Sequence, residues 1–252
     1  MPYLSKIRIN PMRNTGRAML ANPHTVHAMI QQGIAVQPVT ERTLWRWDPT
    51  NPHQPHLLVL TETRPDWTHI TEQAGWTHAD GEHFTIRNYQ PLFAHLAIGR
   101  QFAFKLTANP VQNTNNPVKP SSAQTERIAT EPKKRGQRLG HRTAAHQLTW
   151  LLKQQERHGF TIPETTLPTG EPDTEPISVP NVRITARDSI RFRKGRQHNG
   201  PQITLSTATF EGILTVTDAA VLRTALLTGI GPAKAYGCAL LTLAPLPEAA
   251  NA

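Results

Sequence analysis

Tyr3-Leu4-Ser5-Lys6-Ile7-Arg8-Ile9-Asn10-Pro11 sets apolar against polar positions and then stops. Tyr3, Ile7 and Ile9 share one face at period two, as in a half-buried strand. Pro11 pushes Asn10 toward extended backbone and ends the element. Farther on, Leu20-Ala21-Asn22-Pro23-His24-Thr25-Val26-His27 opens a helix. Asn22 is a good N-cap, and a proline at the first helical position has no N–H to leave unsatisfied. Val26, Met29 and Ile30 lie on one side of that helix, and Gly33 marks its end.

Working outward, residues 43–47 and 56–63 read as strands, joined by a loop with Pro49, Pro52 and Pro55. Pro65-Asp66-Trp67 opens a short helix ending at Gly75, and residues 84–88 complete the order strand, helix, strand, strand, helix, strand. The second half repeats it. Residues 101–108 are a strand, with Phe102 and Phe104 as core positions. The segment 109–142 is too polar to pack and is expected to be a mobile loop or insertion. Residues 143–158 form an amphipathic helix closed by Gly159. Residues 182–193 and 202–217 pair antiparallel, Asp218 caps a helix, and residues 238–244 are the last strand. The expected fold is α+β, with two tandem ferredoxin-like (RRM-like, βαββαβ) domains over residues 1–98 and 99–252. Such sheets host many functions, so the site must decide.

The 252 residues carry 27 Lys+Arg against 18 Asp+Glu, a formal net charge of +9. This points to an anionic partner, nucleic acid first, against the plainer alternative of a protein that happens to be basic. Cys238 is the lone cysteine, which excludes an intrachain disulfide, a zinc ribbon and an iron–sulfur cluster held by this chain. The 12 histidines form no HExxH pattern. No apolar run is long enough to span a bilayer, and the first residues carry no signal-peptide pattern. A cytoplasmic protein with no membrane partner is expected.

Three features carry chemistry. His24 and His27 fall in the first turns of a helix whose N-terminus has free N–H groups and positive potential, suited to a phosphate. An imidazole there exchanges protons near neutral pH. The alternatives are two surface histidines, or an i,i+3 metal pair with no third ligand nearby in sequence. The loop Gly229-Ile230-Gly231-Pro232-Ala233-Lys234-Ala235-Tyr236-Gly237 lets backbone approach a phosphate, with Lys234 adding charge. It is not a Walker A loop, and a helix C-cap followed by a turn is the plainer reading. Basic residues gather at Lys133, Lys134, Arg135, Arg138 and Arg142, and again on the hairpin with Arg183, Arg187, Arg191, Arg193, Lys194 and Arg196. Arg187, Arg191 and Arg193 share a strand face and would make a row able to track a nucleic-acid backbone, or a solvated edge guarded by charge.

Together these features resemble the CasE family, the CRISPR precursor-RNA endonuclease of the type I-E Cascade complex. The matching stretches are residues 4–11, 20–27, Leu44-Trp45-Arg46, Thr63-Arg64-Pro65-Asp66-Trp67, Leu106-Thr107-Ala108-Asn109-Pro110, Phe210-Glu211-Gly212 and 229–244. The resemblance implies a nuclease that binds the hairpin of a CRISPR repeat, cuts once at the 3′ base of its stem without metal or other cofactor, and stays bound to its product as a Cascade subunit. It places His27 on the family's catalytic histidine and His24 where some members have a catalytic tyrosine. A family lysine is replaced here by Gln32. Lys133 to Arg142 and the hairpin would hold the stem, with Gly229, Gly231, Lys234 and Gly237 near the cut. The other reading is a catalytically inactive RNA-binding subunit of the same fold.

Overall fold

The computed structural model describes residues 1–48, 51–114, 122, 125–126, 137–167, 176–193 and 202–246. It is a mixed α/β structure with antiparallel sheets. In the first half, β1 (Tyr3–Arg8) lies between β3 (His56–Thr61) and β4 (Phe84–Asn88), and β2 (Leu44–Asp48) flanks β3. The order β2-β3-β1-β4 puts Ile7 opposite Leu57 and Val59 opposite Trp45, so these four share a face. Three helices cover that face: α1 (Asn14–Ala21), α2 (Pro23–Gln32) and α3 (Thr68–Ala74). Their Met19, Val26, Met29, Ile30 and Ile70 close one core with the sheet. A short α4 (Gln90–Ala94) leads out of the half.

In the second half, β5 (Gln101–Ala108) alternates strictly, with Phe102, Phe104, Leu106 and Ala108 buried. It lies between β12 (Gln202–Val216) and β13 (Leu241–Ala244), and β11 (Val182–Arg193) flanks β12. Helices α5 (Ala144–Leu152) and α6 (Ala219–Thr228) pack on the buried face, where the Trp150 ring stacks on Phe210 at 6.5 Å. The short β8 (Phe160–Thr161) pairs antiparallel with the end of β12. Asp218 caps α6 through two backbone N–H bonds, as its sequence position requires.

The other face of the first sheet packs on the second half: Leu44 and Leu60 belong to the same core as Leu106, Leu226 and Leu241. Arg46 lies on this face almost fully buried. Its guanidinium donates to Lys105 O at 2.9 Å, Leu240 O at 3.3 Å and Thr242 Oγ1 at 3.0 Å.

Besides the short α4 and β8, four segments differ from the expectations above. Helix α1 was not expected; it holds Gly16, where a Cβ would come 2.0 Å from Asn10 O, so close packing against the preceding turn masks a helical signal. The helix expected over residues 143–158 stops at Leu152, where the apolar side gives way to Lys153-Gln154-Gln155, and a 3-10 turn, Glu156–His158, follows. Within the segment expected to be a mobile loop, β6 (Val111–Thr114) pairs with β7 (Gln137–Gly140). That pairing is made by backbone and needs no apolar residues, so composition did not announce it. Finally, β9 (Glu164–Leu167) pairs with β10 (Ile177–Pro180), an added hairpin outside the repeated order. Among the described residues no helix is long and apolar enough to cross a membrane.

Candidate active site

The start of α2 is built as its sequence demands. Asn22 is extended, and its Oδ1 accepts the His24 N–H at 2.9 Å. One turn on, His27 is half-buried, and its Nδ1 is buried with no hydrogen-bond partner. Burial pushes the His27 pKa below the ordinary 6.5, and the neighbouring His24 lowers it further. The imidazole is therefore mostly neutral at neutral pH and able to take up a proton.

Two hundred residues later the glycine loop returns to this helix. Its 3-10 turn, Lys234–Tyr236, packs against α2. The turn is held by Trp45 of β2, whose Nε1 donates to Ala235 O at 3.2 Å. Trp45 also belongs to the core formed with Val26, Met29 and Ile30 of α2, so one indole fastens helix and loop together. Gly237 sits at φ 82°, and a Cβ there would come 2.7 Å from the Trp45 ring. Gly229 donates its N–H to Ala225 O at 2.8 Å, closing α6, so it turns the chain rather than offering that amide to a ligand. Gly231, at φ 90°, lies against the Trp150 ring. Lys234 is half-buried, and its ammonium donates to Thr228 O. Burial, then the nearby Arg42, lowers its pKa. Arg42 was missed in the sequence, where a single arginine before a strand carries no signal.

The basic hairpin reaches the same place from the other side. Phe192 is buried edge-on against Tyr236, with ring centres 4.8 Å apart. Its neighbours Arg191 and Arg193 therefore project from the opposite strand face, both exposed. Arg187 shares their face, since the register runs unbroken from residue 186 onward. Its Nε donates to Gln147 Oε1 at 2.9 Å and its Nη2 to Arg142 O, which ties it to the start of α5. Arg183 lies beyond a bulge between Ile184 and Ala186 and pairs instead with Glu211. Lys133, Lys134, Arg135, Lys194 and Arg196 lie outside the described residues, as does the side chain of Arg138, whose backbone is in β7. Among the described residues no three His, Cys, Asp or Glu side chains gather as a metal site requires.

The helix with the half-buried imidazole and the turn with the half-buried ammonium thus pack together, and the exposed arginines lie on the other face of the strand whose Phe192 meets that turn. Such an arrangement can hold a phosphodiester and move one proton. Comparison with known proteins gives the context. Residues 2–245 match the family described as CRISPR associated protein. The chain is 29% identical to the CRISPR-associated endoribonuclease Cse3 of Thermus thermophilus over 248 residues, covering 96% of this chain and all of that one. It is 26% identical to the CRISPR system Cascade subunit CasE of Escherichia coli, over 81% of this chain and 89% of that one. The fold superposes on Thermus thermophilus Cse3 bound to an RNA representing a pre-cleavage complex, with a TM-score of 0.68, 27% identity, and coverage of 97% and 99%.

Proposed function

The chain belongs to the CRISPR-associated protein family, among its CasE members of the type I-E Cascade, and from that premise we propose that it is the endoribonuclease that matures CRISPR RNA. It binds the stem-loop of the repeat, cuts at the 3′ base of the stem, and stays on the product as a Cascade subunit. Two ferredoxin-like domains, residues 1–98 and 99–252, form the scaffold. The recurrence of one strand order, β2-β3-β1-β4 and then β11-β12-β5-β13, supports that division.

RNA brings its own nucleophile, the 2′-OH beside the scissile phosphate, so the protein needs only to align it and move protons. His27, neutral at working pH, takes the 2′-OH proton. The 2′-oxygen then forms its bond to phosphorus while the bond to the 5′-oxygen breaks, and that oxygen takes a proton from water as it leaves. The products are a 2′,3′-cyclic phosphate, which can open to a 3′-phosphate, and a 5′-OH. No metal is needed for this sequence of bonds, and the 2′-OH requirement separates RNA from DNA. Lys234, on the turn packed against α2, offsets charge building on the phosphate, and His24 sits one turn from the base. Acid–base catalysis by one side chain contributes about 10²–10⁴-fold, so positioning by the stem contacts carries much of the rest. Arg142, Arg187, Arg191 and Arg193, with the basic segments at Lys133–Arg135, Arg138, Lys194 and Arg196, hold the stem by its phosphates, and Gly229, Gly231 and Gly237 shape the loop at the cut.

The observation that carries this reading is the half-buried His27 on a helix packed against the Lys234 turn. The test is His27→Ala with labelled repeat RNA in EDTA. Wild type cuts and the variant binds without cutting. Cutting by the variant at the wild-type rate rejects the role of His27, and a wild type that binds but never cuts leaves an RNA holder.

A further inference from the structure

The matching stretch Leu106-Thr107-Ala108-Asn109-Pro110 has no part in the chemistry above, yet it ends beside the glycine loop. Ala239, at the far end of that loop, donates its N–H to Thr107 O at 2.7 Å. Asn109, the first residue after β5, is only 7% exposed, and its Oδ1 is buried with no hydrogen-bond partner. A buried amide oxygen without a donor is costly and calls for a reason. Asn109 lines a cavity of about 300 Å³ together with Leu205, Ser206, Pro232, Ala233 and Tyr236. Three of those residues belong to the glycine loop itself, and Ala233 among them is held at φ 63°, in the left-handed region.

We propose that this cavity takes one unpaired nucleobase of the repeat next to the cut, with the Asn109 amide turning from its sealed position so that its unpaired Oδ1 accepts a hydrogen bond from the base's exocyclic amine. The inference rests on the RNA-processing reading above. The size is at the small end of ligand sites, roughly 300–1,000 Å³, which suits a single base and not a duplex. The lining fits as well: an aromatic residue and apolar surface for the faces of the base, and an amide for its edge, the usual means by which proteins read single-stranded RNA. The loop that borders the cavity on one side packs on the His27 helix on the other, so a base held here fixes its nucleotide against the catalytic helix. The pocket thus reads sequence at the cut, while the arginines read only backbone.

The experiment uses the full chain carrying His27→Ala, so that binding is measured without cutting. Repeat hairpins with each of the four bases at each unpaired position flanking the cut are titrated. The expected result is a preference of about tenfold for a base with an exocyclic amine (adenine, cytosine or guanine) over uracil at one position, the scale of one amide–base contact. Adding Asn109→Ala removes that preference and leaves the affinity for the uracil hairpin unchanged. Thr204→Phe, at an exposed strand position lining the cavity, does the same without touching Asn109. Tight binding with no base preference, or a preference that survives both substitutions, overturns the pocket and leaves the endonuclease reading standing. Absence of hairpin binding overturns both.

Discussion

Arg46 offers the sharpest test of how the two halves are joined. Arg46→Leu keeps a long side chain in the buried site but removes the donors to Lys105 O, Leu240 O and Thr242 Oγ1. The guanidinium remains charged at neutral pH, because burial lowers its pKa only to about 10 while Asp48 and Glu211 hold it up. Each buried acceptor left without a donor costs about 1–3 kcal/mol. Two effects reduce the sum: the Thr242 hydroxyl lies 3.4 Å from Lys105 O and still serves it, and the buried charge itself is removed. The net loss is about 3 kcal/mol. For a chain of this size each kcal/mol moves Tm by about 2–4 °C, so the melting point should fall by about 6–12 °C. Scanning calorimetry at neutral pH measures it, with Arg183→Ala as the control. Arg183 is highly exposed in its pair with Glu211, and its removal should cost under about 1 kcal/mol. A drop for Arg46→Leu no larger than that of the control refutes the claim that these bonds hold the halves together.

Three more outcomes follow from the site. In His24→Gln, His27 loses a like-charged neighbour, so its pKa rises toward 6.5 but stays below it, since burial remains. On the proposed mechanism the neutral imidazole is the active form, so the rate falls as pH drops through this pKa, and the acidic limb of the kcat/KM profile should move to higher pH; an unmoved limb removes the coupling. Gly237→Ala should cost more stability in urea than Gly99→Ala: both sit near φ 80°, at about 1–2 kcal/mol for any L-residue, but only Gly237 has the Trp45 ring 2.7 Å from the new Cβ. Equal losses would show that the ring yields. Arg191→Gln and Arg193→Gln should each weaken repeat binding and lower the salt-dependence slope by about one, and an unchanged slope takes that arginine off the backbone.

The elements with local punctuation were legible in the sequence. Asn22-Pro23 and Asp218 cap their helices through their own side chains, so the starts of α2 and α6 follow from residues two or three apart. The strict alternation of β5 announced both the strand and its buried face. His24 and His27 were placed correctly on α2 for the same local reason. What stayed hidden depends on partners far away in the chain. Gly16 looks like a helix breaker until Asn10 O is seen against it, and β6 with β7 is joined by backbone bonds that composition does not encode. Gly237 reads as a phosphate-loop glycine, yet Trp45 is what leaves no room for a side chain there. Arg46, which the sequence marks only as part of a matching stretch, is the buried link between the halves. Residue order alone determined the repeated strand–helix pattern and the residue types able to move a proton, because capping and periodicity act over a few residues. Only the tertiary structure brought the helix of position 27 against the turn at position 234 and left the Asn109 oxygen unpaired, because burial and hydrogen-bond supply depend on chain segments that meet only on folding.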